Sequence, residues 1–136
     1  MTASVVLVDT SAWVEFFNRP DGAHHAAVAD LLDLDRVAVT GVIAAELLRG
    51  CRSEHEMDEL EDALGGVLRL ELAFADWVAV GRDMGKLRQR GVTVSLSDAS
   101  IAHAARHARI PLYALDADFG RHWPDLDRFP TGASAT

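Results

Sequence analysis

Asp9, Glu46, Asp98 and the pair Asp116/Asp118 are the side chains of this sequence whose type and placing could do chemistry together. Asp9 ends the apolar run Val5-Val6-Leu7-Val8, and Asp116 follows Leu112-Tyr113-Ala114-Leu115. Both runs read as strands buried on two faces. Glu46 and Asp98 fall on helices that begin near strand ends. In a parallel sheet all of these acids can gather at the carboxyl edge, where open α/β sheets bind their ligands. Several carboxylates in one cleft repel each other and are costly to keep ionised. A hard divalent cation, which prefers oxygen ligands, offsets that cost. Two such ions ~4 Å apart can activate a water and stabilise the leaving oxygen of a phosphodiester.

Each acid also has a structural reading. Asp9, Thr10 or Ser11 can cap the helix that follows. Glu46 can pair with Arg49, three residues on, although an acid inside Ile43-Ala44-Ala45-Glu46-Leu47-Leu48 points to a buried role. Asp98 lies in a first helical turn, where the dipole favours any acid, and Asp after a strand is common in turns. His103 and His107 have the i,i+4 spacing of a helical metal pair. No acid sits between them, and they face away from Asp98, so they read as surface or structural histidines. His24, His25 and His122 read the same way, and the remaining acids read as solvated faces. Neither a Gly-rich phosphate loop nor a nucleophile elbow is present.

The elements that position these acids alternate between strand and helix. Trp13, Phe16 and Phe17 mark a first helix, and residues 18–22 are a turn of Asn, Pro, Asp and Gly. Helical spacing follows over 24–35, and Val37-Ala38-Val39 is a short buried strand. Thr40 caps a helix over 42–51 that ends near Gly50, and a polar helix over 54–64 turns Met57, Leu60 and Leu64 inward. Alternation over 67–72 predicts a sheet-edge strand. The longest helix runs over 73–89, with Phe74, Trp77, Val80, Met84 and Leu87 as its inner face and Gly91 as its end. Ser97 is expected to cap the helix through Ala108. A strand over 112–115, a short helix within 116–123 and a small strand at Arg128-Phe129 complete the order. The expectation is one domain over 1–129, with a parallel sheet and helices on both faces, and a flexible tail over 130–136.

Bulk properties narrow the function. The length suits one domain with a real core. No apolar run approaches the ~20 residues that span a bilayer, and the first apolar run lacks a basic flank, so neither a membrane anchor nor a signal peptide is expected. Cys51 is the single cysteine, which excludes an internal disulfide and fits a reducing cytoplasm. The formal net charge of −8 argues against a protein that grips nucleic acid by phosphate contacts alone. It is compatible with clustered acids neutralised by metal ions and with a basic partner.

Val8-Asp9-Thr10-Ser11-Ala12-Trp13, Ala45-Glu46-Leu47-Leu48-Arg49-Gly50, Leu96-Ser97-Asp98-Ala99-Ser100-Ile101-Ala102 and Leu115-Asp116-Ala117-Asp118-Phe119 together resemble PIN domains, most closely the VapC toxins of bacterial toxin–antitoxin pairs. The resemblance implies a three-layer α/β sandwich with a central, mostly parallel sheet, and a ribonuclease dependent on Mg2+ or Mn2+. It assigns Asp9, Glu46, Asp98 and Asp116 to the family's acidic quartet and Asp118 to a frequent fifth acid, with Thr10 or Ser11 as a supporting hydroxyl. It also implies a cytoplasmic homodimer, a transfer or ribosomal RNA substrate and a VapB-type antitoxin whose basic tail occupies the acidic cleft. One position departs from the pattern: Ala114 stands where the family often has Thr, which removes a hydroxyl but no acid. Arg49, Arg52, Lys86 and Arg88 are candidates for gripping RNA.

Three other readings compete. A haloacid-dehalogenase-type phosphatase has an Asp-x-Asp loop like Asp116-Ala117-Asp118, but carries it early, ahead of a long catalytic region. A receiver-like signalling module needs a mid-chain phospho-accepting Asp and a downstream Lys, and no such pair is evident. A catalytically silent binding protein has no reason to keep every motif acid.

Overall fold

Three successive residues of β1 (Val6–Val8) are wholly buried. Neighbouring strand residues point to opposite faces, so this sheet is covered on both. The computed structural model describes residues 4–130. From β1 the chain passes through α1 (Thr10–Asn18) and α2 (Ala23–Asp33) to β2 (Val37–Thr40). It continues through α3 (Gly41–Arg49) and α4 (Glu54–Gly65) to β3 (Leu68–Leu70). Helices α5 (Phe74–Gln89) and α6 (Leu96–Ala108) then return it to β4 (Leu112–Tyr113), and α7 (Asp118–His122) follows.

The strands pair in the order β3-β2-β1-β4, all parallel, with Val6 opposite Val37 and Leu7 opposite Leu112. This is the α/β class expected from the alternating pattern. The order has a functional consequence. The chain steps outward from β1 to β2 and β3, then crosses back to lay β4 on the other side of β1. The connections diverge between β1 and β4, and a crevice opens there at the carboxyl edge. Asp9 and Asp116 follow the two strands that flank it. Among the described residues no helix is long and apolar enough to cross a membrane.

Several local readings shift. Helix α6 is capped by Ser95, whose hydroxyl accepts from the Asp98 amide at 3.0 Å, not by Ser97. A cap must reach the amide three residues on. Ser95 meets that geometry over Asp98, while the Ser97 carbonyl accepts instead from the Ser100 hydroxyl. β3 is at the sheet edge as expected, but Leu68 faces solvent, because an edge strand this short has little to cover it. On α4, Leu60 and Leu64 are buried whereas Met57 is exposed. On α5, Val80 and Leu87 are buried, but Phe74 lies largely in solvent and Trp77 and Val78 are partly exposed, because the start of the helix overhangs the core. Gly91, at φ +81°, ends α5 in the left-handed conformation that glycine accepts without strain. The last small strand is a single parallel bridge from Arg128 to Leu112. Residues 131–136, most of the expected tail, lie outside the described residues.

The two faces of α4 give a direct check. Leu60→Ala is expected to cost about 2–5 kcal/mol of unfolding free energy, and Met57→Ala less than about 1 kcal/mol. Urea unfolding of both variants measures the contrast. Equal losses would mean that α4 is rotated on the core.

Candidate active site

Asp9 is both a helix cap and a buried acid. It is 6% exposed and is the N-cap of α1. One carboxylate oxygen accepts from the Ser11 amide at 3.1 Å and from the Ser11 hydroxyl at 2.6 Å. Its own amide donates to the Tyr113 carbonyl at 2.9 Å, so the residue is still tied into the β1–β4 ladder. Burial pushes the Asp9 carboxyl above its ordinary value, against the Ser11 hydrogen bonds that pull it down.

The Ser11 hydroxyl also accepts from the Leu115 amide at 3.0 Å, across the crevice. One hydroxyl therefore links the loop after β1 to the loop after β4. Thr10 serves a different acid: its hydroxyl donates to Glu46 Oε1 at 2.7 Å. Thus both hydroxyls of the motif are used, one per acid. Glu46 takes Thr10 as its partner, and among the described residues it makes no ion pair with Arg49. Helix α3 presents it from the β2 side, because Thr40 caps that helix and fixes where it starts.

Asp98 sits in the first turn of α6, placed there by the Ser95 cap. Its carboxyl is held above the ordinary value chiefly by burial, then by the charges of Asp9 and Asp116, with Glu46 adding to them. Acids from three other segments thus bear on Asp98 at the carboxyl edge. No three of these acids bring one carboxylate oxygen apiece within 4.8 Å of one another, so the acids line the crevice and do not close on a point. Asp118 is set apart. Its amide donates to Asp116 Oδ1 at 2.8 Å, but its carboxylate is engaged by the Arg121 guanidinium.

One contributor has no signal in the sequence. Arg128 donates to the carbonyls of Ala114 at 2.8 Å and Asp116 at 3.2 Å, clamping the loop that carries Asp116. Gly120 leaves room for it, since a Cβ there would stand 3.1 Å from the guanidinium. Ala114 is buried, and its carbonyl takes this contact. Arg49, Arg52, Lys86 and Arg88 are all exposed.

The donors suit a hard divalent cation. They are all carboxylates, and burial and mutual repulsion raise the protonation tendency of Asp9 and Asp98, which a bound dication relieves.

The chain matches the family model described as PIN domain over residues 6–122. It is 33% identical over 119 residues to "Ribonuclease VapC11" of Mycobacterium tuberculosis, covering 85% of this chain and 89% of that protein. Among solved structures it resembles VapBC2 of Rickettsia felis bound to a promoter DNA fragment, with a TM-score of 0.75 and 17% identity over 91% of this chain and 96% of that one. It also resembles VapC20 of Mycobacterium tuberculosis, described as a sarcin-ricin loop cleaving toxin, with a TM-score of 0.60 and 19% identity over 85% of this chain and 93% of that one. At those identities the two structures speak for the fold.

Two outcomes check the electrostatics and the hydroxyl bridge. A carboxyl whose value rises on folding is best tolerated when protonated. Its contribution to stability is therefore greatest below the ordinary 3.8 and declines as pH rises through the raised value. In EDTA, Asp98→Asn is expected to raise Tm at pH 7 and to flatten that decline; a lower Tm at pH 7 would contradict it. Ser11→Ala removes two hydrogen bonds and is expected to cost about 1–2 kcal/mol in urea unfolding.

Proposed function

The chain belongs to the PIN domain family, and on that premise we propose that its four-acid crevice is the active site of a VapC-type toxin, an endoribonuclease that hydrolyses RNA phosphodiester bonds with a divalent cation, Mg2+ or Mn2+. The observation that carries this reading is the placing of the acids at the carboxyl edge beside β1 and β4, where Ser11 ties Asp9 to the loop before Asp116, Thr10 holds Glu46 and the Ser95 cap sets Asp98 in the first turn of α6. The phosphatase and receiver alternatives have no support in a chain of this family.

Asp9, Asp98 and Asp116 would hold one or two cations, whose chemistry there is to acidify water and neutralise a leaving oxygen. Glu46, oriented by Thr10, positions the water that attacks phosphorus or holds an ion itself. Ser11 fixes Asp9 against the β4 loop, and Arg128 fixes the loop under Asp116. Asp118, turned to Arg121, is an outer member that tunes Asp116 through its amide.

The partner is a VapB-type antitoxin. A groove of about 510 Å3 runs between α1, α3 and α4 and ends at Thr10 and Glu46. Val14, Phe17 and Leu60 supply its apolar wall, and Glu56 and Glu59 supply negative charge. A segment that is apolar at one end and basic at the other fits it, in keeping with the net charge of −8. The exposed Phe74, Trp77 and Val78 on α5 are the surface a second copy would cover in a homodimer. The substrate is a structured cellular RNA, transfer or ribosomal.

The decisive experiment incubates total RNA with the antitoxin-free protein and Mg2+ or Mn2+, with and without EDTA. Discrete fragments are expected with metal and none with EDTA. Asp9→Asn and Asp98→Asn should each lower the initial rate by about 100-fold or more. Fragments that persist in both variants would place the chemistry elsewhere, and a folded, partner-free protein that cuts nothing would be a binding protein.

A further inference from the structure

A second cluster of ligand-type side chains stands on the far end of α6 from Asp98. His103 and His107 lie one turn apart on α6, and α5 brings Asp76 against both. His103 Nε2 lies 2.9 Å from Asp76 Oδ1, and His107 Nε2 lies 3.8 Å from the same oxygen. One ligand atom from each of the three residues falls within 4.8 Å of the other two, the sole such trio among the described residues. The two imidazoles are nearly parallel, with centroids 5.4 Å apart and planes 16° apart. Both rings therefore present a nitrogen to one carboxylate oxygen.

We propose that Asp76, His103 and His107 form a binding site for a transition-metal dication of the zinc class, separate from the acidic crevice. An imidazole–carboxylate hydrogen bond alone accounts for His103 and Asp76. It does not account for His107, whose Nε2 stands 3.8 Å from the same oxygen, beyond hydrogen-bond reach. Tetrahedral Zn2+ with ligands at ~2.0–2.1 Å needs ligand atoms roughly 3.3 Å apart. The two nitrogen–oxygen separations, 2.9 and 3.8 Å, bracket that spacing. An ion would take the place of the proton between His103 and Asp76.

The carboxylate is already oriented for this. Asp76 Oδ2 accepts from the Ala73 amide at 2.8 Å, which leaves Oδ1 for the imidazoles. Such outer contacts commonly fix metal ligands. His107 is mostly exposed, so an ion held there would be open to exchange with solvent. The shallow depression beside the histidines is also lined by Arg82 and Lys86, which repel a dication and moderate the affinity. Arg106, on the same rim, is paired with Asp125. Asp98 lies five residues before His103, about 140° around the helix, so the two sites face different ways. Ligand type separates them further: imidazole suits zinc, cobalt, nickel or copper, and an all-carboxylate crevice suits magnesium or manganese.

The test uses tag-free full-length protein carrying Asp9→Asn and Asp98→Asn, so that the crevice contributes little. Zn2+ is titrated calorimetrically, and Co2+ is followed by its visible absorption. One equivalent of Zn2+ is expected to bind, with an intense Co2+ spectrum, and a large excess of Mg2+ should not compete. His107→Ala and His103→Ala, each added to that background, should weaken binding by about 100-fold or more. His107 is exposed, so its variant is expected to fold, which circular dichroism checks. Undiminished Zn2+ binding in His107→Ala would overturn the proposal, assigning the metal to His24, His25, His55 or His122. No Zn2+ binding in the parent background, or ready displacement by Mg2+, would overturn it too. None of these outcomes depends on RNA cleavage.

Discussion

The rest of the site depends on one constraint: a carboxylate must be kept at the end of a fully buried strand. β1 is apolar throughout because both faces of the sheet are covered, and Asp9 ends it while still hydrogen-bonded to β4. A lone acid there would be costly. Ser11 donates its hydroxyl to Asp9 and takes the Leu115 amide in return, so one side chain satisfies the acid and sets the β4 loop. The position of Asp116 follows from that bridge and from Arg128 beneath it. Capping, sheet register and site geometry are therefore not separable here. The N-cap that starts α1 is the same carboxylate that faces the crevice.

The acids of the crevice were legible in the sequence because each is attached to a local signal. Asp9 follows an apolar run, Thr40 announces the helix that carries Glu46, and a serine announces the helix that carries Asp98. The particular serine was not legible. Ser95 and Ser97 both precede the helix, and only the reach of a hydroxyl to the amide three residues on decides for Ser95. The faces of α4 and α5 were half legible: period gave Leu60, Leu64, Val80 and Leu87, but a helix that overhangs its core exposes Phe74 at the end of the same stripe. Asp118 reads as a ligand by spacing alone, and its local partner Arg121, three residues on, competes for it.

Two contacts between distant segments left no trace. Arg128 clamps a loop 12–14 residues earlier, and nothing in its own neighbourhood says so. Asp76 meets His103 across 27 residues. Read alone, the His103/His107 pair lacks the acid that a helical metal motif carries between its histidines, which is why it reads as surface. The third group arrives from the neighbouring helix, and its placement depends on how α5 and α6 pack. A local pattern can fix what one helix presents, but not what another helix brings to it.

Net charge links the proposed chemistry to its control. A protein with a formal charge of −8 repels RNA at long range, and the crevice concentrates that repulsion where phosphate must come closest. Cations held in the crevice, as proposed, would invert the local sign and so serve the approach of substrate as well as chemistry. In the proposed function a basic antitoxin segment would answer the same charge, relieving the repulsion on Asp9 and Asp98 as a cation would, without supplying Lewis acidity. Activation and inhibition are then two ways of neutralising one set of acids. The glutamates that line the groove reaching Glu46 would, on that proposal, draw the basic partner to the site that the cations also occupy.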